Sequence, residues 1–85
     1  MSNAARRVFI TGATSGIGEA IAQAFLRQGA QVTSTGATEQ EVQRASSVAE
    51  NKGIDFRVLD VRDDAAVQSM VKAIGELDVV VIVLA

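Results

Sequence analysis

The sequence feature that most constrains this chain is a short apolar run that stops at a cluster of glycines and continues as an amphipathic segment. The run Val8-Phe9-Ile10 has the composition of a buried parallel strand. From Ile17 onwards the apolar residues recur with helical spacing, at Ile17, Ala20, Ile21, Ala24 and Phe25. Because parallel strands are joined by crossover helices, a strand that turns into a helix at glycines predicts a β-α-β unit.

Three further strands are predicted along the chain. The segment at residues 31–35 is rich in β-branched residues, and the segment around 55–60 is marked by Phe56, Val58 and Val61. The run that begins at Val79 is apolar on both faces. Strands that alternate with helical segments in this way indicate a parallel sheet covered by helices.

Two more helices are predicted between these strands. Thr38 and Glu41 form a capping-box pattern at the start of one, and Asp63 is expected to cap the other. Glycines are expected to end all three helices of the chain, at Gly29, Gly53 and Gly75. The inward-facing positions of the second and third helices are predicted to be Val42, Ala45, Val48, Ala49, Val67, Met70, Val71 and Ile74.

The order β-α-β-α-β-α-β predicts an α/β fold. With right-handed crossovers it gives a parallel sheet in the order 3-2-1-4 with helices on both faces, which is half of a Rossmann fold. A length of 85 residues allows one small domain. We assign residues 7–85 to a truncated dinucleotide-binding domain and residues 1–6 to an N-terminal extension that resembles a tag or cloning remnant.

The composition argues against several classes of function. A formal net charge of −2 disfavours nucleic acid as a partner, since phosphate binding needs clustered Lys and Arg. The absence of cysteine and histidine excludes disulfides, a classical zinc centre and a histidine general base. The apolar run from Val79 is too short to cross a membrane, and no signal-peptide pattern follows Arg6 and Arg7. We therefore expect a soluble, cytoplasmic domain without a metal.

The segment Thr11-Gly12-Ala13-Thr14-Ser15-Gly16-Ile17-Gly18 has the properties of a phosphate-binding loop. Gly12 allows a tight turn, Gly16 allows the backbone to approach a pyrophosphate, and Gly18 allows close packing of helix against strand. The free amides of the helix would face the anion, and the hydroxyls of Thr14 and Ser15 could donate to it. An ordinary glycine-rich connection is the alternative. The strand before the loop and the helix after it favour the phosphate site.

The spacing Thr-Gly-x-x-x-Gly-Ile-Gly resembles that of the short-chain dehydrogenase/reductase family, and the resemblance extends from Arg7 to Val81. Asp60-Val61 is similar to the family's acidic residue and its neighbour at the adenine ring, and Leu77-Asp78-Val79 is similar to the entry to its fourth strand. For Asp60 the alternative is a strand-end carboxylate that caps the next turn. A flavodoxin-like or response-regulator fold does not explain the glycine spacing. The resemblance implies binding of NAD or NADP by Gly12, Thr14, Ser15, Gly16, Ile17, Gly18, Gly36, Ala37, Thr38, Asp60 and Val61.

The choice between the two cofactors depends on the end of the second strand. A carboxylate there would bind the ribose of NAD, and this position falls on Gly36. The resemblance implies that NADP-dependent relatives carry a basic residue at Ala37 or Ser15, and neither is basic here. Without an acid to repel it a 2′-phosphate is tolerated, and Thr35 and Thr38 could donate to it. The sequence therefore leans slightly to NADP and leaves NAD open.

Two departures from the family pattern shape the functional expectation. In the family a tyrosine acts as acid/base, a lysine four residues later lowers its pKa, and a serine orients the substrate. This sequence contains no tyrosine, so we expect no catalytic residue and no activity from the chain alone. Where relatives carry Asn-Asn-Ala-Gly after the fourth strand, this chain has Ile82-Val83-Leu84-Ala85, which would leave an apolar sheet edge.

Three hypotheses for function follow. The first is an NAD(P)-binding half-domain that is catalytically incompetent alone. It would form a homodimer through the apolar strand from Val79 to Ala85. The second is an engineered or truncated structural scaffold that self-associates through the same strand and binds no cofactor. The third is a fragment of an active oxidoreductase that a partner chain completes.

Overall fold

The computed structural model of the chain describes residues 6–12, 14 and 16–83, in which four strands alternate with three α-helices. The strands are Arg7–Thr11 (β1), Gln31–Gly36 (β2), Asp55–Val58 (β3) and Val79–Ile82 (β4). The α-helices are Gly16–Arg27 (α1), Glu39–Ser46 (α2) and Asp64–Ile74 (α3), and a 3-10 helix, Ala49–Asn51, precedes β3. The order of elements is the one that the sequence predicts.

The strands form one parallel sheet in the order β3-β2-β1-β4, which confirms the predicted half of a Rossmann fold. β1 lies inside the sheet, where Val8 pairs with Val32 of β2 on one side and with Val79 of β4 on the other. Because all four strands run the same way, their carboxyl ends share one edge of the sheet. In open parallel sheets, ligands bind at that edge, where the strand order reverses.

The core consists of two apolar clusters, one on each face of the sheet. Successive side chains of a strand point to opposite faces, so β1 contributes Val8 and Ile10 to one cluster and Phe9 to the other. The first cluster, which we call the α1-side core, comprises the buried residues Val8, Ile10, Ala22, Val32 and Ile54. The second, the α3-side core, comprises Phe9, Leu59 and Ile74. Helices therefore cover both faces, as predicted.

The second helix is shorter than the sequence predicts. We expected it to continue to Gly53 with Ala49 on its inward face, but α2 ends at Ser46, and Ala49 is exposed. The hydroxyl of Ser47 donates to the carbonyl of Arg44 (2.6 Å), and serine hydroxyls of this kind compete with the helical hydrogen bonds of the backbone. Gly53 follows the 3-10 helix instead of α2.

A buried asparagine completes the end of α2. The side-chain amide nitrogen of Asn51 donates to the carbonyl of Ala45 (2.9 Å) and to Glu19 Oε2 (2.7 Å). The Asn51 Oδ1 accepts from Gln23 Nε2 (2.7 Å). Asn51 is 2% exposed, so its side chain links α1, α2 and the 3-10 helix through hydrogen bonds that water does not weaken.

Two residues of the predicted helical stripes, Ile17 and Val71, are exposed, and so is Val58, which the sequence marks as part of the third strand. Ile17 is 74% exposed because it lies in the first turn of α1, beyond the sheet, and Gly18 and Ala22 are the buried residues of that helix. Val58, the last residue of β3, is 47% exposed, whereas its neighbour Leu59 points to the other face of the sheet and is buried in the α3-side core. Val71 is exposed on α3, whereas Val67, Met70 and Ile74 pack as predicted.

β4 is apolar along its length, as predicted, but only one of its faces is covered. Val79 and Val81 pack against the α1-side core, whereas Val80 and Ile82 are 55% and 65% exposed. Leu84, Ala85 and residues 1–5 of the predicted extension lie outside the described residues. Within the described part of the chain, no helix is long and apolar enough to span a membrane.

Candidate functional site

A cleft of about 240 Å³ opens at the carboxyl edge of the sheet. Its lining residues come from the ends of β1 and β2, from the turn after β3 and from the end of β4: Thr11, Gly12, Thr35, Ala37, Leu59, Asp60, Val61, Arg62 and Val83. β2 lies on one side of β1 and β4 on the other, so the cleft lies at the point where the strand order reverses. This is the position at which parallel α/β sheets bind ligands.

The glycine-rich turn leads from β1 past the cleft into α1. Gly12 and Gly16 have φ angles of +71° and +63°, a left-handed backbone that only glycine adopts without strain. Gly16 is the first residue of α1, and among the described residues other than its chain neighbours and the backbone of its own helix, no heavy atom lies within 4 Å of the place where a Cβ would stand. The first amides of a helix have no partner within the helix. The start of α1 therefore presents donors to open space, which is an arrangement that fits a phosphate.

Gly36, the last residue of β2, has a role that sequence reasoning left unexplained. A Cβ at this position would lie 2.6 Å from Thr14 Cγ2 and 3.2 Å from Val42 Cγ2. The residue therefore allows the glycine-rich loop, the end of β2 and the start of α2 to meet in close contact. A glycine at the carboxyl end of an otherwise β-branched strand is the sequence signal for such an approach.

Two predicted hydroxyl donors are engaged or buried. Thr38 caps α2: its Oγ1 accepts from the amide of Glu41 (3.2 Å), and both its amide and its hydroxyl donate to Glu41 Oε2 (3.1 and 3.0 Å). Thr35 is 1% exposed. The expectation that Thr35 and Thr38 would donate to a 2′-phosphate is therefore not supported by this arrangement. Thr14 is also buried, and its methyl group faces Gly36.

Asp60 and Arg62 form an ion pair on the wall of the cleft. The Asp60 carboxylate accepts from the backbone amide of Arg62 (3.0 Å), from its Nε (3.0 Å) and from its Nη2 (3.1 Å). The two hydrogen bonds from the Arg62 side chain lower the pKa of the Asp60 carboxyl, and the same contact raises the pKa of the Arg62 guanidinium. The Asp60 carboxylate therefore stabilises the following turn, and it also lines the cleft.

The structure brings part of the predicted site together. Gly12, Ala37, Asp60 and Val61 line the cleft. Gly16 and Ile17 lie in the exposed first turn of α1, and Thr38 lies at the exposed start of α2. Thr14, Gly18 and Gly36 are buried behind the loop, and Ser15 lies outside the described residues. Sequence reasoning missed Arg62 and Thr11, whose Oγ1 accepts from the amide of Val83 (3.3 Å) and joins β1 to the chain after β4.

A parallel sheet in the order 3-2-1-4, a glycine-rich turn after its first strand and a cleft at the strand reversal define an α/β domain of the Rossmann class. The family model described as short chain dehydrogenase matches residues 6–83. The chain therefore belongs to the short-chain dehydrogenase family of oxidoreductases, which the sequence motifs already indicated.

Individual relatives match over nearly the whole chain. Sulfoacetaldehyde reductase 2 of Chromohalobacter salexigens is 40% identical over 70 residues, which cover 81% of this chain and 28% of the relative. An NADP-dependent 3-hydroxy acid dehydrogenase of Escherichia coli is 37% identical over 67 residues, which cover 79% of this chain and 27% of the relative.

A solved structure agrees with this assignment. The crystal structure of 2-keto-3-deoxy-D-gluconate dehydrogenase from Streptococcus agalactiae matches 88% of this chain with a TM-score of 0.80 and 32% identity. The match covers 30% of that structure. The chain thus spans less than a third of the length of each of these three relatives.

Proposed function

We propose that this chain binds NAD(P) through the adenosine and pyrophosphate part of the cofactor. The observation that supports the proposal most directly is the cleft at the strand reversal, because Thr11 and Gly12 of the glycine-rich turn line it and that turn leads on to the exposed start of α1. A domain of this family with a ligand-sized opening at that edge has the arrangement in which parallel sheets hold dinucleotides.

In this proposal the pyrophosphate lies at the start of α1. Gly12 and Gly16 keep side chains away from the phosphates, and the amides of the first turn, from Gly16 and Ile17 onwards, donate to them. The hydroxyl of Ser15 is proposed to add a further contact. Gly18, Gly36 and Thr14 act from behind the loop by allowing it to pack closely on β2 and α1.

The adenosine is proposed to occupy the cleft between the ends of β2 and β3. Ala37 and Thr38 follow β2, and Asp60 and Val61 follow β3, so the ring would lie between these two segments. Val61 is 48% exposed and offers an apolar surface to a planar base, while the Asp60 carboxylate can accept from an exocyclic amine.

We propose that the chain binds the cofactor but does not contribute the catalytic residues of an oxidoreductase. The tyrosine that the family resemblance implies as acid/base has no counterpart, because the sequence contains none. Of the three sequence hypotheses, the cleft favours the cofactor-binding half-domain over a scaffold without a ligand. The substrate of a longer or assembled enzyme would be bound by residues other than those of this cleft.

Calorimetric titration with NADPH, NADH and ADP tests this proposal, and two glycines provide matched variants. Gly16 and Gly29 both have positive φ angles, +63° and +87°, and open space at the Cβ position, so Gly16→Ala and Gly29→Ala introduce similar backbone strain of about 1 kcal/mol. Only Gly16 lies at the proposed pyrophosphate site. We expect saturable binding by the unmodified chain, a loss of about tenfold or more in Gly16→Ala, and unchanged affinity in Gly29→Ala.

Far-UV circular dichroism establishes that each protein is folded before titration. A folded, unmodified chain that binds none of the three nucleotides would overturn the proposal. An equal loss of affinity in both variants would also count against it, because the effect would then belong to general backbone strain.

We also infer that the chain forms a homodimer through β4. This strand is an edge of the sheet within the described residues, and its side chains Val80 and Ile82 are 55% and 65% exposed. No charged residue occurs from Val79 to Ala85, so the edge lacks the charges that usually discourage strand pairing. Two copies related by a twofold axis would join their sheets and cover these side chains.

Sedimentation equilibrium tests the dimer. We expect a dimer at high micromolar concentration and a monomer for Val80→Lys, since a lysine on the edge strand opposes pairing. The control is Val58→Lys, which places the same charge at a similarly exposed position on the opposite edge strand, β3. A monomeric unmodified chain, or equal dissociation in the two variants, would refute an interface at β4.

A further inference from the structure

The cleft contains one pair of opposite charges. Among the described residues that line it, only Asp60 and Arg62 are ionisable. Asp60 alone would make the adenosine end of the cleft anionic, which would repel a phosphorylated ribose. The guanidinium of Arg62 compensates this charge at a distance of 3.0 Å. The selectivity of the cleft therefore depends on where the remaining donors of Arg62 point.

Arg62 is held in place but retains donors for a ligand. Its Nε and Nη2 donate to the two oxygens of Asp60, and the backbone amide of Arg62 donates to the same carboxylate. A guanidinium has five N–H donors, so this two-pronged contact leaves three of them free for another anion. The side chain is 88% exposed, which leaves these donors accessible from the mouth of the cleft.

The register of the sheet brings Arg62 to the same cleft as the segment that follows β2. Gly36 of β2 pairs with Val58 of β3, and the amide of Leu59 donates to the carbonyl of Gly36 (2.9 Å). The segments after the two strands therefore leave the sheet side by side, and Ala37 and Arg62 line the same cleft. The end of β2 is where dinucleotide sites distinguish a ribose 2′-hydroxyl from a 2′-phosphate.

The other polar groups at this position do not compete for a phosphate. Thr35 is buried, and the hydroxyl of Thr38 is committed to the capping box of α2. The first turn of α2 carries two further acids, Glu41 and the exposed Glu39, and the carboxylate of Glu41 accepts from the amide and the hydroxyl of Thr38. Arg62 is thus the cation that the cleft offers to a phosphorylated ribose.

We propose that Arg62, held by Asp60, binds the 2′-phosphate of NADP and makes this cleft selective for NADP over NAD. This inference depends on the proposed function, since selectivity requires that the cleft binds a dinucleotide. It also explains how a chain without a basic residue at Ala37 can accept the phosphate, because the cation comes from the turn after β3. Removal of the guanidinium would leave Asp60 uncompensated, which favours a 2′-hydroxyl and repels a 2′-phosphate.

A second arginine provides a matched control. Arg57 forms the same kind of pair with Asp55, two residues before it, at 3.0 Å, and its side chain is also partly exposed. Asp55 begins β3 at the amino edge of the sheet, away from the cleft, and Arg57 lines a different cavity there. Arg62→Gln and Arg57→Gln therefore remove the same charge and the same type of ion pair, but only the first changes the cleft.

Calorimetric titration of the three proteins with NADPH and NADH tests the inference. The two ligands differ by the 2′-phosphate alone among their charged groups. We expect the unmodified chain and Arg57→Gln to bind NADPH about tenfold or more tightly than NADH, as a charge-assisted contact to phosphate provides. We expect Arg62→Gln to lose this preference because it binds NADPH about tenfold or more weakly, while it binds NADH at least as tightly as the unmodified chain does.

The outcomes separate this inference from the proposed function. Binding of both nucleotides with the same ratio in Arg62→Gln and in the unmodified chain would overturn the role of Arg62 and leave cofactor binding intact. Equal loss of the ratio in Arg57→Gln would also overturn it, since the effect would then be one of net charge. Failure of the folded, unmodified chain to bind either nucleotide would overturn both proposals.

Discussion

Gly36 lies where the glycine-rich loop, the end of β2 and the start of α2 come together, and the absence of a side chain sets their separation. The nearest group to an added Cβ is the methyl of Thr14, at 2.6 Å, and Val42 follows at 3.2 Å. The contact with Thr14 is too short for a real Cβ and the contact with Val42 is tight, so the loop would have to move. At the residue scale, the shape of the candidate site thus depends on a position that carries no functional group.

The substitution Gly36→Ala tests this close contact. We expect it to lower the free energy of unfolding by about 2 kcal/mol because of overpacking. Thr14→Ser removes the obstructing methyl group and keeps the hydroxyl, so the double variant should be more stable than the sum of the two single effects by about 1 kcal/mol. Chemical denaturation of the four proteins measures this. Additive effects would show that Thr14 is not the obstacle.

The ion pair in the cleft makes a prediction for pH. Hydrogen bonds from Arg62 lower the pKa of the Asp60 carboxyl, so Asp60 stays ionised below its ordinary pKa. The pair is therefore complete above that ordinary value and is lost as the pH falls through the lowered one. An NMR titration of side-chain carboxyl carbons should show the Asp60 midpoint rise in Arg62→Gln and stay in place in Arg57→Gln. Equal midpoints in all three proteins would contradict the contact.

At the scale of elements, the end of α2 depends on a side chain that no pattern in the sequence announces. Asn51 hydrogen-bonds to Gln23 and Glu19 of α1 and to the carbonyl of Ala45 in α2. The last carbonyls of a helix need partners, and here a buried amide supplies one of them. The helix can therefore end at Ser46, and the 3-10 helix carries the chain to β3.

Substitution of Asn51 should destabilise the fold more than its size suggests. We expect Asn51→Ala to lower the free energy of unfolding by about 2–3 kcal/mol, because it leaves buried polar groups of α1 and α2 without partners. Asn51→Asp keeps the shape but places a carboxylate 2.7 Å from Glu19 Oε2, so it should be at least as destabilising at neutral pH.

Burial and the neighbouring Glu19 carboxylate raise the pKa of an aspartate at this position, and protonation restores a donor to it, so the cost of Asn51→Asp should shrink on acidification from neutral pH to about pH 4. Denaturation curves at both pH values measure this. A pH-independent cost would show that charge is not the cause.

The sequence was sufficient to predict the order of the elements and of the strands in the sheet, since strands and helices differ in their hydrophobic period and capping residues or glycines mark the helix ends. It was not sufficient for the end of α2 or for the phase of β3. The helical period continues from Val42 through Ala49, but the side chains of Ser47 and Asn51 donate to carbonyls at the end of α2 and the helix ends earlier. Val58 and Leu59 are equally apolar, so their order of burial follows from how the sheet meets α3.

Some residues of the candidate site could likewise be predicted from the sequence, and others could not. Gly12 and Gly16 could be predicted because a positive φ and a phosphate approach both require glycine at a fixed spacing. Arg62 could not, because its importance comes from the register between β2 and β3, which brings it to the same cleft as Ala37. Residues that act through neighbouring strands leave no periodic signal in the sequence.

At the scale of the whole molecule, β1 is the element shared by the two cores. Val8 and Ile10 face α1, and Phe9 faces α3. The α1-side core is the larger one, with Val32 and Ile54 added from β2 and from the residue before β3. The α3-side core contains Phe9, Leu59 and Ile74 as its buried residues. The two faces of the sheet are therefore held with unequal strength.

The difference in size between the two cores has a consequence for local unfolding. Few buried apolar contacts retain α3, so it should open locally while the rest of the sheet stays intact, and its amide hydrogens should exchange with solvent before those of β1. Leu59 belongs to the α3-side core and also lines the cleft, and Asp63, three residues after Asp60, caps α3. A nucleotide bound against Leu59 and Asp60 would hold α3 in place against the sheet. Binding in the cleft should therefore slow the exchange of the amide hydrogens of α3, on the opposite face of the sheet from α1.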